Sequence, residues 1–152
     1  MIIDLQNVSY RRNGRMILEN IDWQVEAGEH WIILGLNGCG KTTLLELING
    51  YIFPMYGGSA NVLGYQFGSC PIADLRKHIG WISNALSQNL PVNDTPLDIV
   101  LSGKFASIGL WEKVTDADVK EAEAILEKLG IMHLKERTYN TLSQGEKQKV
   151  II

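Results

Sequence analysis

The chain has 152 residues, 45% of them hydrophobic and 20% charged, a size and balance that suit one globular domain and exclude disorder, collagen and coiled coil. Fourteen Lys and Arg against seventeen Asp and Glu leave a formal charge of −3. No bulk positive charge is available to hold a nucleic-acid backbone, so no nucleic-acid partner is expected. The apolar run at residues 31–34 is far short of the ~20 residues that span a bilayer. The opening MIIDLQNVSY carries an acid at Asp4 and no basic-then-apolar leader pattern, which argues against export. Two cysteines, Cys39 and Cys70, fit a reduced, cytoplasmic compartment better than a disulfide scaffold.

Residues 1–34 have the texture of three short strands, separated by the turn signals Asn13-Gly14 and Ala27-Gly28. The second strand alternates, with Ile17, Ile21, Trp23 and Val25 among polar neighbours. The third, at residues 30–34, is an unbroken apolar run of the kind found in a strand buried on both faces. A glycine-rich turn follows, then a helix that closes on Gly50. Strand texture returns at residues 59–65 and 78–83, with a short helix expected at 72–77 between them. Strand, glycine loop and helix in that order predict an α/β sheet with the loop at a strand's carboxyl end. From about Thr95 the pattern is helical. Thr95-Pro96 caps one helix, and Thr115 opens another whose stripe is Val119, Ala122, Ile125, Leu126 and Leu129, ending at Gly130.

The segment Gly35-Leu36-Asn37-Gly38-Cys39-Gly40-Lys41-Thr42 matches G-x-x-x-x-G-K-[ST] in full. Glycines let the backbone curl until successive N–H groups point inward at phosphate oxygens, and the following helix adds its positive end. Lys41 would reach the β- and γ-phosphates and the Thr42 hydroxyl would hold Mg²⁺. Cys39 sits beside Lys41 at a helix start, where a thiolate is favoured, although a small filler at a permissive position is the plainer account of it.

A phosphate loop is shared by many nucleotide-hydrolysing proteins, so the second motif decides more. Residues 142–148 read LSQGEKQ. On its own, Ser143-x-x-Glu146 is a plain capping box, and a capped helix start is compatible with an anion site. With both motifs in place, the chain resembles the ATPase subunit of an ATP-binding cassette (ABC) transporter. That family joins a phosphate loop near its N-terminus to a signature close to LSGGQ at the end of a helical insertion. The resemblance covers essentially the whole chain. It implies an α/β P-loop NTPase fold of ABC type with an N-terminal antiparallel β subdomain, an inserted helical subdomain, and the C-terminal part of the core missing. Residues 1–94 would be the nucleotide-binding core with the β subdomain and P-loop, 95–141 the helical subdomain, and 142–152 the signature and the start of its helix.

The resemblance also implies site residues, with ATP and Mg²⁺ as cofactors. Tyr10 would stack on adenine. Gly35, Leu36, Asn37, Gly38, Cys39, Gly40, Lys41, Thr42 and Thr43 would contact the nucleotide. Ser143 and Gly145 would meet the γ-phosphate of ATP held by a second ABC ATPase subunit in a head-to-tail dimer. Gln144 and Glu146 stand where the consensus has Gly and Gln. The family's coupling-loop Gln, which touches Mg²⁺, is matched by Asn84, one methylene shorter, with Gln88 as the rival.

The other implied partner is a transmembrane transporter subunit, which would place the chain at the inner face of the cell membrane. Phe105, Leu110 and Trp111 are candidate contacts for that partner or core residues. The family's strand ending in Asp-Glu and its later switch His do not occur here, and His30, His78 and His133 all precede the signature. The 152-residue chain is therefore expected to be a fragment, inactive alone and poorly soluble. A soluble ABC ATPase acting on ribosomes or DNA, or a non-hydrolysing nucleotide-binding product, are the alternatives.

Overall fold

Asn13-Gly14 turns the chain back on itself with both residues at positive φ, 51° and 78°, the turn geometry that matches strand twist. It joins β1 (Ile3–Arg12) to β2 (Arg15–Val25) in antiparallel register. The structure, a computed structural model, describes every residue except 84–88 and divides into two compact units, residues 1–80 and 81–152. In the first unit β3 (Ser59–Val62) pairs with β1 and β4 (Tyr65–Gln66) with β3, giving the antiparallel order β2-β1-β3-β4.

Three register shifts interrupt the hairpin, and the first two control which of its residues face inward. Leu5 pairs with Trp23, Val8 with Ile21 and Tyr10 with Leu18, so each strand gains one residue on the other in turn. Asn7 and Asn20 take the left-handed backbone at these points, with φ of 51° and 48°. Side chains satisfy their amides: Asn7 N donates to Asp22 Oδ1 at 2.7 Å and Asn20 N to Ser9 Oγ at 2.9 Å. The phase shift corrects simple alternation, because Leu18 is buried and Ile17 is not. Leu5, Val8 and Leu18 then pack with Leu47, Val62 and Leu75 in one core. Leu47 comes from α1 (Lys41–Ile48) and Leu75 from α2 (Ile72–Arg76). Gly50 lets these helices close together, since a Cβ on it would meet Ile72 Cγ2 at 2.1 Å.

The strand expected at residues 30–34 is not formed, nor is the one at 78–83. Ile32 is 82% exposed and Leu34 86%, the opposite of burial on both faces. A parallel strand exists only through lateral hydrogen bonds, and among the described residues no strand lies alongside either segment. The sheet of this unit is antiparallel throughout, and the glycine loop follows an extended, unpaired segment rather than a strand end. Trp31 fastens that segment at one point, edge-on to Trp23 with ring centroids 5.5 Å apart and its Nε1 donating to Glu29 Oε2.

The second unit is helical, as its sequence pattern predicts. Its helices α3 (Pro96–Lys104), α4 (Asp116–Lys128) and α5 (Gln144–Val150) start at Thr95, Thr115 and Ser143. Each start is a capping box, with Asp98, Asp118 and Glu146 reaching back to the cap amide. Such a box satisfies two otherwise orphaned N–H groups. Ile99, Leu126, Ile131, Leu134, Tyr139 and Leu142 form its core. Ile125, expected on the inward stripe of α4, lies at its edge and is exposed. Lys104 closes α3 onto α4 through Asp118 Oδ1 at 2.7 Å and Glu121 Oε2 at 2.8 Å. Among the described residues no helix is long and apolar enough to cross a membrane.

Candidate functional site

The glycine loop is shaped by its own residues. Gly38 and Gly40 take φ of 82° and 97°, values that an L side chain rarely adopts. Gly40 is also buried against β2, where a Cβ would meet Ile17 O at 2.9 Å and Leu18 Cδ2 at 3.1 Å. At Gly35 a Cβ would meet Cys39 Sγ at 2.6 Å, so the two ends of the loop approach as closely as a missing side chain allows. Cys39 N donates to Leu36 O at 3.3 Å and closes the turn.

Lys41 folds back over this loop. Its Nζ donates to Gly35 O and Leu36 O, each at 2.8 Å, and lies 3.8 Å from Cys39 Sγ. The ammonium thus sits among loop atoms at the start of α1. That start differs from those of the second unit. Gly40 is its N-cap, no side chain caps it, and its first turn has no acidic residue. A bare helix start with inward-curled amides is an anion seat. Thr42 is exposed and keeps its hydroxyl available, whereas Thr43 is buried and can offer a ligand its backbone alone. Leu36, Asn37 and Cys39 are exposed on the outer side of the loop.

The fit to a nucleoside triphosphate with Mg²⁺ is therefore good on the chemistry of the donors. The positive groups are Lys41 and the bare α1 amides. Among the described residues no cluster of three or more His, Cys, Asp or Glu could hold a metal ion. Mg²⁺ carried on phosphate oxygens takes only one or two protein ligands, of which the Thr42 hydroxyl would be one.

Tyr10 packs against the core of the first unit, and the Arg12 guanidinium lies over its ring at 5.6 Å from the centroid. Arg12 Nη2 donates to Glu46 Oε2 on α1 at 2.9 Å. The Tyr10 hydroxyl and Glu46 both hold Arg12 in its charged form. Nothing in the sequence singles out Arg12, two residues from Tyr10 on the same strand.

In the second unit Ser143, Gln144 and Gly145 are exposed at the start of α5. Ser143 N donates to Glu146 Oε2 at 2.7 Å and Glu146 N to Ser143 Oγ at 3.3 Å. Hydrogen bonds to the Glu146 carboxyl from the Ser143 amide and, next, the Ser143 hydroxyl hold it below its usual range. A Cβ on Gly145 would meet nothing within 4 Å. Trp111 is 84% exposed, with its Nε1 donating to Ile108 O, while Phe105 and Leu110 are half-buried. His30, His78 and His133 are all exposed. Asn84 and Gln88 lie outside the described residues.

The family model described as ABC transporter matches residues 18–152. The chain belongs to the ABC transporter family. It is similar to the ABC transporter ATP-binding protein YlmA of Bacillus subtilis, 46% identical over all of this chain and 58% of the relative. It is 40% identical to the ABC transporter ATP-binding protein ModF of Escherichia coli over 95% of this chain and 30% of that protein. Among solved structures, cbiO1 from Clostridium perfringens, part of the ABC transporter complex cbiONQ, superposes with a TM-score of 0.76 at 25% identity. That match covers 99% of this chain and 59% of cbiO1. A bacterial ABC transporter cassette solved as a dimer gives 0.77 at 24% identity, which shows the fold alone. The ABC cassette fold expected from the two motifs is thus the fold of this chain. The chain spans about 58% of the length of the first curated relatives it matches.

Proposed function

We propose that this chain is the nucleotide-binding and signature-bearing part of an ABC transporter ATPase subunit, which couples ATP binding and hydrolysis to solute movement through a separate membrane subunit. The observation that carries this reading is the glycine-shaped loop with Lys41 folded over it, closing on a helix start that no side chain caps. Lys41 would exchange its two carbonyl acceptors for β- and γ-phosphate oxygens. The amides of residues 38–43 would line the phosphates, and the Thr42 hydroxyl would orient Mg²⁺. Bound Mg²⁺ would supply charge neutralisation on the transferring phosphoryl group.

The same reading divides the chain into a nucleotide-binding core at 1–94, a helical subdomain at 95–141 and the signature at 142–152. It gives Ser143 and Gly145 a role in trans. Ser143 is exposed at the start of α5, and its O–H would exchange the Glu146 carboxyl for a phosphate oxygen. Gly145 leaves open space where a phosphate of a second subunit could approach. Asn84 or Gln88 would serve the coupling loop. Trp111 and its neighbours would meet the membrane subunit, holding the protein at the inner face of the membrane.

Titration of the full-length protein and its Lys41→Ala variant with Mg-ATP tests the reading. Wild type should bind, and the variant should lose at least about tenfold, the scale of one charged hydrogen-bonding group. Equal affinities would overturn the assignment of the loop.

A further inference from the structure

Three Asn-Gly pairs occur in the chain, at 13–14, 37–38 and 49–50. An asparagine followed by glycine is open to attack by its own backbone. The nitrogen of the following residue reaches the side-chain amide carbon, and glycine, having no Cβ, leaves that approach clear. Two conditions apply. The asparagine must be free to turn its side chain back along the chain, and the following N–H must be unoccupied.

The structure separates the three pairs on these conditions. Asn13 and Gly14 are fixed in the hairpin turn, both at positive φ, between the paired residues Arg12 and Arg15. Asn49 is 5% exposed, its Nδ2 donates to Leu45 O at 2.9 Å, and Gly50 N donates to Leu47 O at 2.8 Å. Asn37 and Gly38 are both exposed. Among the described residues, neither the Asn37 side chain nor the Gly38 N–H has a hydrogen-bond partner. Asn37 therefore combines both conditions, and it lies in the phosphate loop.

We propose that Asn37 is a self-modifying site, at which the loop deamidates when no phosphate occupies it and thereby loses its hold on nucleotide. Gly38 N gives its proton to water and bonds to Asn37 Cγ. The Cγ–Nδ2 bond breaks, and Nδ2 takes up a proton and leaves as ammonia. Water then opens the resulting succinimide. Opening at Cγ leaves aspartate at position 37; opening at the backbone carbonyl leaves isoaspartate, with one more methylene in the main chain. No oxidant or reductant takes part. Either product puts a carboxylate next to Leu36, whose carbonyl accepts from the Lys41 ammonium. A negative charge there competes with phosphate for the lysine and repels the ligand.

The gate is the nucleophile itself. The Gly38 N–H is one of the amides that would line the phosphates, and an amide committed to a phosphate oxygen is not available to attack Cγ. This gate, unlike the reaction, rests on the reading of residues 35–43 as a phosphate site.

The experiment ages the full-length protein in mildly alkaline buffer, with and without Mg-ATP in large excess over its Kd. Peptide mapping by mass spectrometry follows asparagine, aspartate and isoaspartate at positions 37 and 49, and calorimetry follows Mg-ATP binding. Without nucleotide, position 37 should convert at least about tenfold faster than position 49, whose reaction waits on local opening of the end of α1. Mg-ATP should slow conversion at position 37 at least about tenfold, and Lys41→Ala should convert at the unprotected rate with Mg-ATP present. Asn37→Asp should melt as wild type does and bind Mg-ATP at least about tenfold more weakly. Conversion at position 37 no faster than at position 49 would overturn the proposal. So would equal conversion with and without Mg-ATP in a protein that calorimetry shows to be nucleotide-bound, or undiminished binding by Asn37→Asp. A wild type that binds no Mg-ATP would overturn the phosphate-site reading and the gate with it, whereas fast conversion at position 37 in that protein would still support the modification site.

Discussion

Gly145→Ala separates what the chain needs from what its proposed partner needs. Gly145 lies in the first turn of α5 at negative φ, and a Cβ there meets nothing within 4 Å. Gly103, near the end of α3, is in the same situation. Replacing a helical glycine by alanine without steric cost removes unfolded-state freedom and stabilises by up to about 1 kcal/mol. That corresponds to a rise of about 2–4 °C in Tm for a protein of this size class. Both variants should therefore melt slightly higher than wild type. Their behaviour with ATP should differ. If a second subunit's phosphate approaches Gly145 closely, the added methyl obstructs it, and ATP-driven dimerisation followed by light scattering should fall at least about tenfold in affinity, a steric penalty on the scale of overpacking. Gly103→Ala should dimerise as wild type does. Unimpaired dimerisation of Gly145→Ala would refute the argument, and so would a Tm drop in that variant, since the open space would then be filled by something unaccounted for.

Three further outcomes follow from described contacts. Lys104, and then the Thr115 hydroxyl and amide, hold Asp118 well below the usual carboxylate range. Its stabilisation is therefore present above the unfolded pKa of about 4 and is lost as pH falls toward the depressed folded value; urea midpoints should drop with acidification, and Asp118→Asn should flatten that slope. Thiol reagents should block nucleotide binding by reaching exposed Cys39, and Mg-ATP should protect it; equal labelling with and without nucleotide would sink the loop assignment. Gly50→Ala should cost at least about 1 kcal/mol, because it combines a φ of 70° with a Cβ 2.1 Å from Ile72 Cγ2; an unchanged melting curve would contradict the tight α1–α2 closure.

The loop at residues 35–42 was legible because its pattern encodes backbone geometry directly: glycines at 38 and 40 supply the positive φ, and Lys41 the charge. The caps at Thr95, Thr115 and Ser143 were legible for the same local reason. Residues 30–34 were misread because a parallel strand is a property of its neighbours, and composition shows only that the segment would suit one. The inward place of Leu18 depends on the bulges at Asn7 and Asn20, which exist in the pairing of two strands and not in either strand alone. Arg12 was missed because its significance arises from Glu46, 34 residues away in sequence.

The posture of Lys41 has a consequence for the shape of the loop itself. By leaning on the carbonyls of Gly35 and Leu36, the lysine acts as an internal brace for the loop that it would later help to fill. Ligand entry on this view is a change of partner, and its favourable free energy is the difference between charged phosphate oxygens and two neutral carbonyls. Departure reverses the exchange. The loop would then regain the two carbonyl contacts that brace it.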